Sequence, residues 1–150
     1  TSAPAPLFKG LPIRQIAALP YRTEGSGIDA PVSILLVTSR ETKRWVIPKG
    51  WPMDTLMDYN AARQEAFEEA GVTGHMSRKP IGTFDYDKRL KDGTLRPCRV
   101  HVYALEVDAK LSDWPEKRQR KRQWFSPDDA AWHVDEEELK VIIRQFSLHI

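Results

Sequence analysis

Cysteine is nearly absent from this chain: Cys98 is the only one in 150 residues. A single thiol excludes an intrachain disulfide framework and every multi-cysteine zinc site. Histidine is scarce as well, and the four present lack metal-ligand spacing; His101, in "RVHVYALEV", reads as a strand residue. No apolar run approaches a membrane span, and no basic, apolar, small-residue signal pattern opens the sequence. A membrane partner is therefore not expected, and a reducing cytoplasm is the expected setting. Charge of one sign is lacking too. Lys and Arg number 23 against 21 Asp and Glu, and the formal net charge of +2 is too small for a general nucleic-acid binder. The charge is unevenly placed, however: "KRQRKR" spans Lys117 to Arg122, and "VDEEE" spans Val134 to Glu138.

What is present is ordinary soluble-domain composition, 41% apolar and 29% charged. The length suits one domain with a real core. Residues 1–12, "TSAPAPLFKGLP", read as a flexible lead-in, and 13–150 as the domain. Arg14–Arg22 is a short apolar strand candidate, followed by the turn-rich "TEGSGIDAP". Val32–Val37, "VSILLV", suits a strand covered on both faces. Trp45–Ile47 is a shorter strand ending at Pro48. Pro80–Leu90 and Val100–Val107 read as a hairpin around "KDGT", since Asp-Gly is a strong turn signal. "SPDDAAW" starts a short helix, with a serine cap and a proline at the first helical position. "DEEELKVIIRQF" gives the last helix, with Asp135 as cap and Leu139, Val141, Ile142 and Phe146 as its apolar stripe. Strands, helix, strands, helices argue for an α/β (α+β) single domain with a mixed sheet between helices.

The chemistry concentrates in "GWPMDTLMDYNAARQEAFEEAGV", Gly50–Val72. Met57–Ala70 is helical in pattern, and Gly71 ends it as a left-handed terminator. Taking Glu65 as zero at 100° per residue, Glu68 lies at about −60° and Glu69 at about +40°. Leu56, Tyr59, Phe67 and Ala70 fall on the opposite side, which predicts an apolar back and a carboxylate front. Like charges at this spacing repel. A solvated acidic face is the plain reading of such a cluster. Hard divalent cations such as Mg²⁺ also want carboxylate oxygens and arrive with substrate phosphates. Lys49 in the preceding "PKGWPM" fits a polyphosphate bridged by metal.

The pattern G-x5-L-x7-Q-E-A-x-E-E-x-G-V resembles the Nudix box, G-x5-E-x7-R-E-U-x-E-E-x-G-U with U aliphatic. Gly50, Glu65, Glu68, Glu69, Gly71 and Val72 match, and Ala66 is permissive. Five strict matches at one start would arise with probability on the order of 10⁻⁶, so chance does not explain them. "RWVIPKGWPM", "IGTFDY" and "WPEKRQRKRQWFSPDDAAW" are similar to the diphosphoinositol polyphosphate phosphohydrolase branch and its bacterial relatives. Two positions depart: Leu56 stands for the family's first glutamate and Gln64 for its arginine. The resemblance implies a Nudix-type α/β/α sandwich. It also implies hydrolysis of a diphosphate linkage with Mg²⁺ or Mn²⁺ held by Glu65, Glu68, Glu69 and the Gly50 carbonyl. Glu65 is the expected base and Glu69 the next choice.

The resemblance also implies that basic positions grip a small polyphosphorylated substrate: Arg14, Arg22, Arg40, Arg44, Lys49, Arg120 and Arg122. Arginine's planar fork suits phosphate. A solvated loop and a nucleic-acid patch are the other readings of the 117–122 run. Diphosphoinositol polyphosphates and dinucleoside polyphosphates lead the substrate classes. A phosphate-ligand binding module without catalysis and an RNA 5′-end pyrophosphohydrolase remain alternatives. Trp51, directly after Gly50, is the aromatic expected near a ligand, whereas Phe84 and Tyr86 are expected in the core. Cys98 is expected to be inert. A monomer or homodimer is expected.

Overall fold

Two long strands, paired in parallel, form the spine of the molecule. In this computed structural model, residues 11–25, 27 and 30–148 are described. The lead-in lies outside them except for Leu11 and Pro12, and so does part of the turn-rich stretch after the first strand. The elements are β1 (Ile13–Thr23), β2 (Val32–Thr38), β3 (Trp45–Val46), β4 (Lys49–Gly50), α1 (Asp58–Ala70), β5 (Val72–Met76), β6 (Gly82–Arg89), β7 (Leu95–Lys110), β8 (Arg122–Phe125), α2 (Pro127–His133) and α3 (Glu137–Leu148). β1 and β7 run parallel from Ile13↔Cys98 to Tyr21↔Glu106. The main path is β3-β2-β1-β7-β5, with β4 on β1, β6 on β7 and β8 on β2. Every other pairing is antiparallel, so the sheet is mixed as expected.

Strand alternation divides the core between two faces. Ile16, Ala18, Leu35, Val37, Tyr103 and Leu105 pack towards α1. Ala17, Leu19, Ile34, Leu36, Phe84, Val100 and Val102 pack on the other side against Leu139, Ile142 and Ile143 of α3. This is why β1 and β2 read as continuous apolar runs: both faces are covered. Phe84 is 2% exposed, and truncating such a side chain to alanine costs about 3–5 kcal/mol.

The hairpin forms, with its second strand starting at Leu95 rather than Val100. Gly93 adopts φ 86°, and the Asp92 carboxylate accepts the Thr94 amide at 3.0 Å. Ser126 caps α2 by accepting the Asp129 amide at 3.1 Å.

Other expectations need correction. β5, "VTGHM", was not foreseen, because its pattern is too short and polar to stand out; it forms by pairing with the C-terminal half of β7. Asp135 does not cap α3. The Glu136 carbonyl takes the Lys140 amide, which makes Glu136 the flanking residue, and Asp135 pairs with Arg44 at 3.5 Å. Val141 is 49% exposed and Ile143 is buried in its stead. At 100° per residue, Val141 lies about 200° from Leu139 and Ile143 about 40° from it.

The back of α1 is also different. Leu56 precedes the helix and is 39% exposed, and Phe67 is only partly buried. The buried face consists of Ala61, Ala62, Ala66, Ala70 and Glu69. Measured from Glu65, these alanines fall at about −40°, +60°, +100° and +140°. Carboxylates and alanines thus share the face turned to the sheet. Alanine keeps helix propensity high and lets the helix approach closely.

Candidate active site

The site is assembled where β4, α1 and the 111–121 loop meet. β4 pairs with β1 through Ile16↔Gly50 and Ala17↔Lys49. Its alternation turns the open face of Gly50 towards α1. A β-carbon on residue 50 would sit 2.4 Å from the Glu65 Cδ, so the absent side chain is the space the Glu65 carboxylate uses. Glu69 lies one turn on, 7% exposed, and accepts the Lys49 amide at 3.4 Å.

The Glu65 and Glu69 carboxyls face each other. Burial, reinforced by Glu69, Glu68 and Glu116, pushes the Glu65 carboxyl up to about 8. Burial also raises Glu69, against the opposing pull of Arg120. Without a cation, burial thus favours the protonated form of Glu65. Glu68 stands aside, accepting from the Gln64 amide at 3.0 Å.

Sequence reasoning missed Glu116. It lies far from the helix in sequence, but its backbone amide donates to the Glu68 carbonyl at 3.0 Å, and its charge acts on both Glu65 and Glu69. The only advance signal was its place beside the basic run.

The same loop closes the end of α1. Helix C-termini leave four carbonyls without intrahelical partners. Here Phe67 O takes the Gly71 amide at 3.0 Å and Glu68 O takes Glu116. Glu69 O takes Trp114 Nε1 at 3.1 Å, and Ala70 O takes Arg122 Nη1 at 2.8 Å. Gly71, at φ 67°, makes this closure fit: a β-carbon there would meet Trp114 at 2.6 Å and Arg122 at 2.8 Å.

The expected phosphate ligands separate into groups. Arg120 reaches the site, with Nη2 3.8 Å from Glu69 Oε2 and Nε 2.8 Å from Glu116 Oε1. Arg40 is on the loop's outer side, 3.4 Å from Gln119 and largely exposed. Arg44 is held by Glu136 at 2.7 Å. Arg14 pairs with Asp58 in the first turn of α1.

Arg122 turns towards the end of α1 as Arg120 does, but it meets backbone carbonyls there rather than the carboxylates. It also donates to the Gly71 and Leu111 carbonyls and stacks 3.8 Å from the Trp114 ring centroid. Arg22 pairs with Glu24 at 2.6 Å and stacks on Trp124. It is six residues from Ile16, which neighbours Gly50, or about 20 Å along the strand. Lys49 sends its side chain to the far face, where it lines a crevice with Phe84, Tyr86, Glu136 and Leu139. Its ammonium is 5.2 Å from the Tyr86 ring centroid, and burial lowers its pKa. Trp51 is 45% exposed, with the Lys88 ammonium 5.8 Å from its ring centroid. Cys98 is buried, and burial pushes its thiol up, which disfavours a reactive thiolate.

The loop that carries Arg120 borders a groove of about 510 Å³, lined by Thr38, Lys43, Trp45, Lys117, Arg118, Gln119, Arg120 and Lys121. Arg120 belongs to both the groove and the carboxylate cluster. The groove is cationic with an aromatic wall, since Trp45 stands edge-on to Phe125 at 5.1 Å. Trp45 and Thr38 were not foreseen as site residues, because only the β2–β8 pairing brings the 117–121 loop beside them.

The site fits a hard divalent cation by its donors: oxygen ligands only, in surplus over nearby positive charge. Glycine supplies the room for one of them. Among the described residues, no three acidic, imidazole or thiol groups already converge on one ion-sized point.

A family model described as "NUDIX domain" matches residues 12–146, and the chain belongs to that family. Nudix hydrolase 12, mitochondrial, of Arabidopsis thaliana is 34% identical over 124 residues, covering 75% of this chain and 61% of that protein. Diphosphoinositol polyphosphate phosphohydrolase 3-beta of Bos taurus is 35% identical over 120 residues, covering 78% of this chain and 66% of that protein. The crystal structure of C. elegans Ap4A hydrolase shares the fold, with a TM-score of 0.61 at 20% identity, over 92% of this chain and 98% of that one. The matched region spans only 61%, 56% and 52% of the length of three of the curated relatives. No described helix is long and apolar enough to cross a membrane.

Proposed function

We propose that this chain hydrolyses a diphosphate linkage in a small polyphosphorylated molecule, with Mg²⁺ or Mn²⁺ as cofactor. The observation that carries the reading is Arg120, which borders a cationic groove on one side and the Glu65–Glu69–Glu116 cluster on the other. A ligand with its phosphates in the groove would bring one linkage to the carboxylates.

Glu65, Glu68, Glu69 and the Gly50 carbonyl are the proposed cation ligands. Glu68 would turn in from Gln64 to complete the set. A cation bound there supplies charge neutralisation on the phosphate oxygens and acidifies a water. The protein's own work is to orient and to take a proton. Lys43, Lys117, Arg118 and Lys121 hold the outer phosphates, and Trp45 and Trp51 limit the ligand's position. Glu65 is the proposed base: a bound cation would keep its carboxyl ionised, and the carboxylate could then take the proton of the attacking water. Diphosphoinositol polyphosphates and dinucleoside polyphosphates are the substrate classes named by the relatives, and they suit a groove with this many cations. Arg40, beside Gln119 on the loop's outer side, is proposed as an additional phosphate contact.

Phosphate release from both classes, with Mg²⁺ or Mn²⁺ and with chelator, tests the reading. Turnover should require the cation and fall at least a hundredfold in Glu69→Gln. Full activity in that variant would refute the cation assignment.

A second reading, a ligand-binding module without catalysis, is favoured by the exposed Leu56 and the neutral Gln64 at two box positions. Tight calorimetric binding without turnover of any substrate would establish it in place of the first.

A further inference from the structure

We propose that Arg120 is a positioning residue: it aligns Glu69 and Glu116 for the cation and does not contact the substrate. The inference rests on the proposed function. The Arg120 side chain is 9% exposed, and its three guanidinium nitrogens face three different groups. Nε donates to Glu116 Oε1 at 2.8 Å. Nη1 donates to the Thr38 carbonyl, at the end of β2, at 3.1 Å. Nη2 faces Glu69 Oε2 at 3.8 Å.

Both sides of this arrangement are anchored. Thr38 is buried. Its amide donates to the Lys121 carbonyl at 3.0 Å, and its hydroxyl accepts the Lys121 amide at 2.9 Å. The loop carrying Arg120 is thereby stitched to β2. The backbone of Glu116 is tied to the last turn of α1 through Glu68, but among the described residues its carboxylate pairs with arginine alone. Arg40 Nε is more distant, at 3.9 Å.

α1 itself offers no cation to the cluster. It has no basic residue in its last turn, and Gln64 is neutral and engaged with Glu68. Without Arg120, Glu116 would face Glu65 and Glu69 with little to hold it. Its side chain is already 19% exposed, and rotation into water would relieve the repulsion. A planar guanidinium can hold Thr38 and Glu116 in one fixed relation while facing Glu69; a lysine ammonium is a point charge without that fork. Geometry, more than charge, is what Arg120 contributes.

The test uses the full chain and Arg120→Lys, which keeps the charge and removes the fork. Mn²⁺ affinity, measured by calorimetry without substrate, should fall about tenfold or more. kcat should fall comparably with KM unchanged. Adding Glu116→Gln to Arg120→Lys should cause little further loss, because the two act as a unit. Should Arg120→Lys fail to fold, Glu116→Gln alone must show the loss of Mn²⁺ affinity. Wild-type Mn²⁺ affinity in whichever variant folds overturns the inference, as do additive losses. A raised KM with unchanged Mn²⁺ affinity also overturns it and returns Arg120 to phosphate contact. A wild-type chain that neither binds Mn²⁺ nor cleaves substrate overturns the proposed function along with it. Normal wild-type turnover with an unaffected Arg120→Lys overturns this inference alone.

Discussion

Gly50 and Glu65 occupy adjoining space that only glycine leaves free. A β-carbon on residue 50 would lie 2.4 Å from the Glu65 Cδ and 2.5 and 2.7 Å from its two oxygens. The contact joins β4 to α1 at the point where the proposed chemistry occurs.

Gly50→Ala should therefore separate activity from stability. The group it strikes is the far end of a flexible, half-buried side chain, which can move aside. Stability should change by no more than about 1 kcal/mol, while turnover drops at least tenfold because Glu65 no longer stands in place. Thermal melts and kcat on the same preparation check this. Unimpaired turnover would mean that the Glu65 position does not matter.

The pH dependence of stability should carry the signature of Glu65. Its carboxyl is raised from 4.5 to about 8 in the folded chain. Between those values the folded state holds a proton that the unfolded state has released. Raising the pH then favours unfolding. The contribution is fully present below about pH 4.5 and is lost as pH rises through about 8. In chelator, Tm should decline across that window more steeply for wild type than for Glu65→Gln. Mg²⁺ should flatten the decline by stabilising the ionised form. Parallel slopes for the two proteins would argue against a Glu65 carboxyl raised by burial.

Arg122 should behave as a structural residue. It donates to the Ala70, Gly71 and Leu111 carbonyls at a helix end where positive charge is favoured. Arg122→Met should cost about 3 kcal/mol, in line with loss of charged hydrogen bonds to buried carbonyls. Denaturant unfolding measures this, and KM at a temperature where the variant is folded should match wild type. A raised KM without loss of stability would instead restore the phosphate-ligand role expected from its place in the basic run.

Much of the fold was legible because its signals are local. Apolar runs marked β1 and β2, Asp92-Gly93 marked the hairpin, and Ser126-Pro127 marked the start of α2. The last helix was found, yet one member of its stripe was misassigned, Val141 in place of Ile143. β5 was illegible because its hydrogen bonds are supplied by β7, more than twenty residues downstream.

The sequence by itself determined the family, the spacing of Glu65, Glu68 and Glu69, and the glycines on either side of them. These depend on helical period and backbone allowance within one short segment. Only the tertiary structure decided which charges meet. It turned Lys49 to the opposite face of the sheet from Gly50, left Arg22 far along β1 and spent Arg122 on the carbonyls of α1. It also brought Glu116 and Arg120 to the carboxylates. The physical reason is that a strand's two faces and a loop's docking are set by long-range pairing, here of β4 with β1 and β8 with β2, which no local pattern specifies.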